Sequence, residues 1–399
     1  MLVQTGLISD FVAIANQSPY LTGKVYVWNK VEQRFTINSK CFLLPFISES
    51  IYALLQTIQI IEHLASAKEK TTFDVAFASG IFLANIFFTA AYFAFVMGNK
   101  HSELTFFING ICQLEGKITS KFVFAAKKQS TVYFTKLACR IETTMSVVIP
   151  HAAGITAAVL SSQPLNVLST APVQWMTTFI PWTNSGLAWL LGKFAIYGVN
   201  YGFWLVHLKY AILAVVQITV GSISLMLYQM LLNREICQTR YQLSHKRLLE
   251  IFSIQKQLQI LTSIFNQIHS NLLVWILLAI GVAIVLPSFK LIRSATGEAD
   301  VDPWIVIFFL QIILISLIAL NIIYQLCGKV HGMSSRFLKQ LKMLHSKENR
   351  KQNQQIFRSL VVLQVEFGGT NYVDQCTAFV FQDFILKRLV DALLAKPSK

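Results

Sequence analysis

Six apolar runs of roughly twenty residues constrain this chain more than any other feature, because a helix of that length matches the hydrocarbon thickness of a bilayer. They are Cys41–Ile61, Phe73–Met97, Ile141–Ser161, one long run from Phe194 to Leu232, Leu272–Ile292 and Trp304–Cys327. A further segment, Gly368 to Leu394, is almost long enough, yet it carries Asp374, Asp383, Lys387, Arg388 and Asp391. Of the 399 residues 54% are hydrophobic and 13% charged, against about 25% charged in an ordinary soluble domain. The runs are too long and too closely spaced for separate soluble cores, so the chain reads as one integral membrane domain. Pro45, Pro150 and Pro287 fall inside runs, where neighbouring helices tolerate a kink.

Charge sets the direction of threading. The formal net charge is +15, and Lys and Arg lie between the runs rather than on a basic module with interleaved aromatics. That excludes a nucleic-acid-binding reading. Lys24, Lys30, Arg34 and Lys40 precede the first run, and seven basic residues from Lys100 to Arg140 separate the second from the third. Arg234 to Lys256 and Lys329 to Arg358 follow the fourth and sixth. The opposite connections hold few cations, and Glu298, Asp300 and Asp302 offset Lys290 and Arg293. The positive-inside bias therefore predicts a cytoplasmic amino terminus in a multi-pass protein of the plasma membrane. The opening residues lack a basic n-region, so no signal peptide is expected. None of the six cysteines falls in an external loop, so no disulfide framework is expected and each is read as a small buried residue.

One cytoplasmic stretch carries a second pattern. Ile251, Ile254, Leu258, Leu261, Phe265, Ile268 and Leu272 recur with alternating steps of three and four, a coiled-coil-like stripe that continues into the fifth run. Either this helix joins inward extensions of the fourth and sixth runs in a cytoplasmic bundle, or it lies on the headgroups. In the bundle reading Ile254, Leu258, Leu261 and Phe265 hold subunits together. The stretch SLVVLQVEFGG reads as a short strand or as a helix stopped at Gly368-Gly369.

This combination resembles the arthropod gustatory and odorant receptor superfamily. The shared features are about 400 residues, seven spans with the amino terminus inside, helices four to six extended inward, and a broken seventh helix. Gustatory receptors carry Thr-Tyr, five apolar residues and Gln-Phe in the last helix. The nearest match here is Thr370-Asn371-Tyr372 with Gln382-Asp383-Phe384, at different internal spacing. The resemblance implies an all-α membrane fold. Its parts are an inner segment 1–40, helices one to four over 41–232, and an inward extension of helices four and five over 233–271. Helices five and six follow over 272–327, then the extension of helix six with the first part of helix seven over 328–369, and a pore-lining last helix with a short outer tail over 370–399.

The resemblance also implies a chemosensory, ligand-gated, non-selective cation channel, working as a homotetramer or with a related subunit. Its partners would be a small-molecule ligand, permeating cations and lipid. Gln375, Thr377, Phe379, Gln382 and Asp383 are the pore candidates, and a ring of Asp383 carboxylates would favour cations; alternatively Asp383 pairs with Lys387 one turn on. For the ligand, Tyr197, Asn200, Tyr201 and Trp204 share a helical face, and His151, Trp304, Phe308 and Gln311 would complete the pocket. The aromatic face equally suits the headgroup belt. No catalytic, phosphate-binding or metal-binding motif occurs, so neither enzyme activity nor a cofactor is expected. The remaining alternatives are a secondary transporter and a receptor-like membrane protein without a sensory role.

Overall fold

A helix of 51 residues, His245–Ala295, is the spine of the molecule. At 1.5 Å per residue it is about 75 Å long, more than twice the hydrocarbon thickness, so much of it projects beyond the bilayer. Ser244 caps its start by accepting the backbone N–H of Arg247 at 3.3 Å. Pro287 lies inside it without ending it.

The computed structural model describes residues 8, 12, 26–29, 31–32, 34–37, 100–121, 215–237, 244–297, 303–343, 355, 357–369 and 371–394. The first three apolar runs and the outer part of the fourth lie outside that set. Its elements are strands β1 (Tyr26–Asn29) and β2 (Arg34–Ile37), helices α1 (Lys100–Lys121), α2 (Val215–Cys237), α3 (His245–Ala295) and α4 (Pro303–Met343), the short strands β3 (Glu366–Phe367) and β4 (Asn371–Tyr372), and helix α5 (Thr377–Leu394). Among the described residues three helices are long and apolar enough to cross a membrane: Val215–Cys237, His245–Ala295 and Phe309–Met343. The chain is a mostly helical membrane protein.

Side-chain pairings fix the helix directions. Phe107 and Gly110 of α1 meet Phe265 and Leu261 of α3, so these two run antiparallel. Phe107 also lies beside Gly221 of α2, and the Tyr228 hydroxyl donates to Glu115 Oε2 at 3.1 Å, so α1 and α2 run parallel. Ser222 with Cys327, and Asn233 with the Met333 carbonyl, make α2 and α4 parallel as well. Thus α1, α2 and α4 point one way and α3 returns between them. Arg247 locks the return by donating Nη2 to Glu235 Oε1 at 2.8 Å and Nη1 to Glu250 Oε2 at 3.0 Å. Burial holds the His101 imidazole below its usual range and pushes the Cys112 thiol up to about 12, so both stay neutral inside the bundle.

The periodic stripe on α3 is the core of this bundle. Ile254, Leu258, Leu261 and Phe265 are all buried within one protomer. The Phe265 ring fills the space a Cβ on Gly221 would need and packs on Phe107, centroids 5.5 Å apart. Of the four residues expected to hold subunits together, Leu261 meets Gly110 of α1 and Phe265 meets Phe107 of α1 and Gly221 of α2, so their burial is met within the protomer. Helix α1 lies in the basic connection between the second and third apolar runs and supplies part of that cover.

Two short stretches outside the helices add to this body. The inner segment contains a hairpin, β1–β2, paired antiparallel from Tyr26 with Ile37 to Asn29 with Arg34. Asn109 of α1 grips it reciprocally, accepting the Phe35 N–H at 2.8 Å and donating to the Phe35 carbonyl at 3.0 Å. Of the two readings of SLVVLQVEFGG, the strand holds at Glu366–Phe367, and residues 360–365 before it form no helix. Four-residue strands are marginal alone; here neighbouring helices supply the partners. Cys112 and Cys327 are buried as expected, whereas Cys237 and Cys376 are exposed.

Truncating a stripe residue should therefore unfold the protomer rather than merely separate subunits. We expect Phe265→Ala to cost about 3–5 kcal/mol and Ile260→Ala, on the exposed side of α3, to stay within about 0.5 kcal/mol. Thermal unfolding of purified protein in detergent measures both; equal midpoints for the two variants would contradict the packing.

Candidate functional site

The last helix is reached through a strap laid along α3. Gln259 donates to the Val361 carbonyl at 2.8 Å, and Asn266 donates to the Gln364 carbonyl at 2.9 Å while accepting the Glu366 N–H at 3.0 Å. On the other side Ser334 of α4 accepts the Leu363 N–H at 2.9 Å. Side-chain amides thus substitute for the strand partners that extended backbone requires. Gly368 and Gly369, with φ of 65° and 79°, then turn the chain where a side chain would be strained. The turn pairs Glu366 with Tyr372 and Phe367 with Asn371.

Helix α5 starts on a close seat against α4. A Cβ on Gly328 would overlap the Asp374 carbonyl group, and one on Gly332 would lie 2.8 Å from Gln375 Nε2. Between them the His331 ring stacks on Tyr372, centroids 4.7 Å apart. Asp374 and Thr377 cap the helix reciprocally: Thr377 Oγ1 donates to Asp374 Oδ1 at 2.8 Å and accepts the Asp374 N–H at 2.9 Å. Asp374 Oδ1 also accepts the Cys376 N–H at 2.9 Å, so a free N–H at the helix start is satisfied.

Two faces separate cleanly along α5. At about 100° per residue, Ala378, Phe381, Gln382, Ile385 and Leu389 share the side turned to α3 and α4. Ala378 and Ile385 are buried, Phe381 approaches Gly281, and Gln382 Nε2 donates to Asn321 Oδ1 at 3.2 Å. The opposite side carries Val380, Asp383, Lys387, Asp391 and Leu394, all exposed, in a stripe about 80° wide. Exposed apolar residues flank it, with Phe379, Leu386 and Val390 on one edge and Phe384 on the other. Lys387 Nζ lies 2.6 Å from Asp383 Oδ2, with both side chains more than half exposed. Arg388 Nη1 lies 3.3 Å from Asp391 Oδ2, and its guanidinium sits 5.0 Å from the Phe384 ring centre.

This geometry divides the predicted pore residues. Phe379 and Asp383 lie on or beside the exposed stripe; Gln375 is exposed at the seat; Thr377 serves the cap; Gln382 turns inward to Asn321. Of the predicted pocket residues, His151, Tyr197, Asn200, Tyr201 and Trp204 lie outside the described residues. Trp304 and Phe308 are on α4, but their side chains lie outside the described set. Gln311 is exposed on the α4 face that also presents Leu310, Leu314 and Ile318. Sequence reasoning passed over Gly328 and Gly332, whose four-residue spacing on one helical face was the available signal.

No family model and no curated protein matches the sequence. Solved structures do. The insect olfactory receptor OR5 from Machilis hrabei in complex with eugenol superposes with a TM-score of 0.66, covering 98% of each chain at 13% identity. A second structure of the same receptor gives a TM-score of 0.68, covering 98% of this chain and 99% of that one, again at 13% identity. This chain has the insect olfactory-receptor fold. Because the likeness extends over nearly the whole length, the fold includes the strap, seat and last helix as parts of one architecture.

The seat yields a direct test. Gly328→Ala should push the first turn of α5 away from α4, at an overpacking cost of about 1–3 kcal/mol. Amide hydrogen exchange over residues 373–377 should accelerate roughly fivefold or more, whereas Gly116→Ala, with nothing within 4 Å of its Cβ position, should leave it unchanged. Equal exchange in both variants would remove the seat.

Proposed function

We propose that the chain is a subunit of a chemosensory, ligand-gated, non-selective cation channel of the gustatory or odorant receptor type. The observation that carries this reading is the exposed stripe on α5. Charged side chains at membrane depth are tolerated where they meet water or each other. A charged centre with apolar edges suits a helix whose middle faces a wet axis and whose flanks touch neighbouring copies. Several subunits, as a homotetramer or with a related chain, would enclose that axis. Val380 and Phe384 would close it by excluding water, since hydrophobic constrictions gate channels by dewetting.

In this reading the protein is a multi-pass plasma-membrane protein whose amino terminus, α1 and the inward ends of α2, α3 and α4 are cytoplasmic, in keeping with the basic inner connections. The ligand site is a small apolar pocket in each subunit's outer half, built from Tyr197, Asn200, Tyr201 and Trp204 with His151, Trp304, Phe308 and Gln311. An aromatic wall with one amide fits a volatile phenol such as eugenol, the ligand in the OR5 complex. The OR5 fold and the predominantly apolar exposed face of α4, with Ile307, Leu310, Leu314 and Ile318, support this reading over a soluble sensor.

Recording from oocytes expressing the chain tests it. The expected result is a basal or eugenol-evoked conductance whose current scales with driving force; a saturable flux coupled to a substrate gradient would instead identify a transporter.

A further inference from the structure

The charges on α5 are arranged to cancel. Asp383, Lys387 and Asp391 follow one another at one-turn intervals on the exposed stripe, and Arg388 closes against Asp391. Two acids and two bases leave the face neutral. Successive members of the stripe are about 6 Å apart along the axis, less than the screening length of about 8 Å at physiological salt. An ion beside Asp383 therefore feels Lys387 as well.

We propose that Lys387 is the residue that limits charge selection by the conduit, through its 2.6 Å contact with Asp383. This rests on the channel reading above and revises its simplest form, in which the Asp383 carboxylates act alone. A bare carboxylate in each copy would set a strong negative potential along the axis. With an ammonium held against it, each copy contributes a dipole, whose field falls faster than that of a charge. Removing the ammonium uncovers the acid; removing the acid uncovers the ammonium. The Arg388–Asp391 pair repeats the arrangement further along, so this face of α5 holds no uncompensated carboxylate, and cation preference in the native protein stays below what bare carboxylates would give.

Reversal potentials in a tenfold NaCl gradient read this directly. Lys387→Gln should raise the sodium-to-chloride permeability ratio roughly threefold or more, Asp383→Asn should lower it comparably, and the double variant should return close to wild type. To exclude folding effects, Lys387→Cys is measured before and after modification in place. A cationic methanethiosulfonate should restore the wild-type ratio, and an anionic one should raise cation preference further. Conducting Lys387 variants with an unchanged ratio overturn this inference while leaving the channel reading intact. Absence of any basal or eugenol-evoked current in wild-type protein present at the cell surface overturns the channel reading, and the inference with it.

Discussion

In the channel reading proposed above, ionised groups at bilayer depth set the terms for this molecule. A single charge at the centre of a transmembrane helix costs about 2.5–3.5 kcal/mol on insertion scales, and α5 presents four of them on its outward side. Internal pairing reduces that cost without removing it, because each member remains more than half exposed in the protomer. The face needs water or a polar neighbour. Everything inward of α5 serves to hold that face in one orientation: Ala378 and Ile385 bury the opposite side, and Gln382 ties it to Asn321.

The bundle is what makes such a weakly held helix useful. Helix α3 runs from the packed bundle to α5 as one continuous element, carrying the strap on Gln259 and Asn266 at one end and touching Phe381 through Gly281 at the other. Helix α4 runs in the opposite direction and supplies the seat. A shift of α4 against α3 therefore moves the start of α5 through backbone contact at Gly328, while the capped first turn keeps its shape. Close glycine contacts transmit displacement because no flexible side chain lies between the two backbones.

Much of this was legible from residues alone, and the limits are physical. Apolar runs predicted α3 and α4 because length and hydropathy suffice for a bilayer-spanning helix. Periodicity on Ile254, Leu258, Leu261 and Phe265 identified a buried face; it carried no information about what buries it, and α1 turned out to be the partner. That helix has its own stripe, Leu104, Phe107, Ile111, Leu114 and Ile118, hidden among basic residues that drew attention to topology. Spacing of four anticipated Asp383 with Lys387. The β1–β2 hairpin was not legible and the strap was left between strand and helix, since their stability comes from Asn109, Gln259 and Asn266, residues far away in sequence. The proposed pocket stands on sequence pattern and on the fold likeness.

Cysteine substitution along α5, read by aqueous thiol reagents in assembled protein in native membranes, tests the account most directly. Cysteines at Val380, Asp383 and Lys387 should react, and those at Ala378, Ile385 and Leu389 should stay protected, giving a helical rhythm of labelling. Uniform protection from 378 to 391 would mean that lipid or protein, not water, covers the charged face, and would contradict the account.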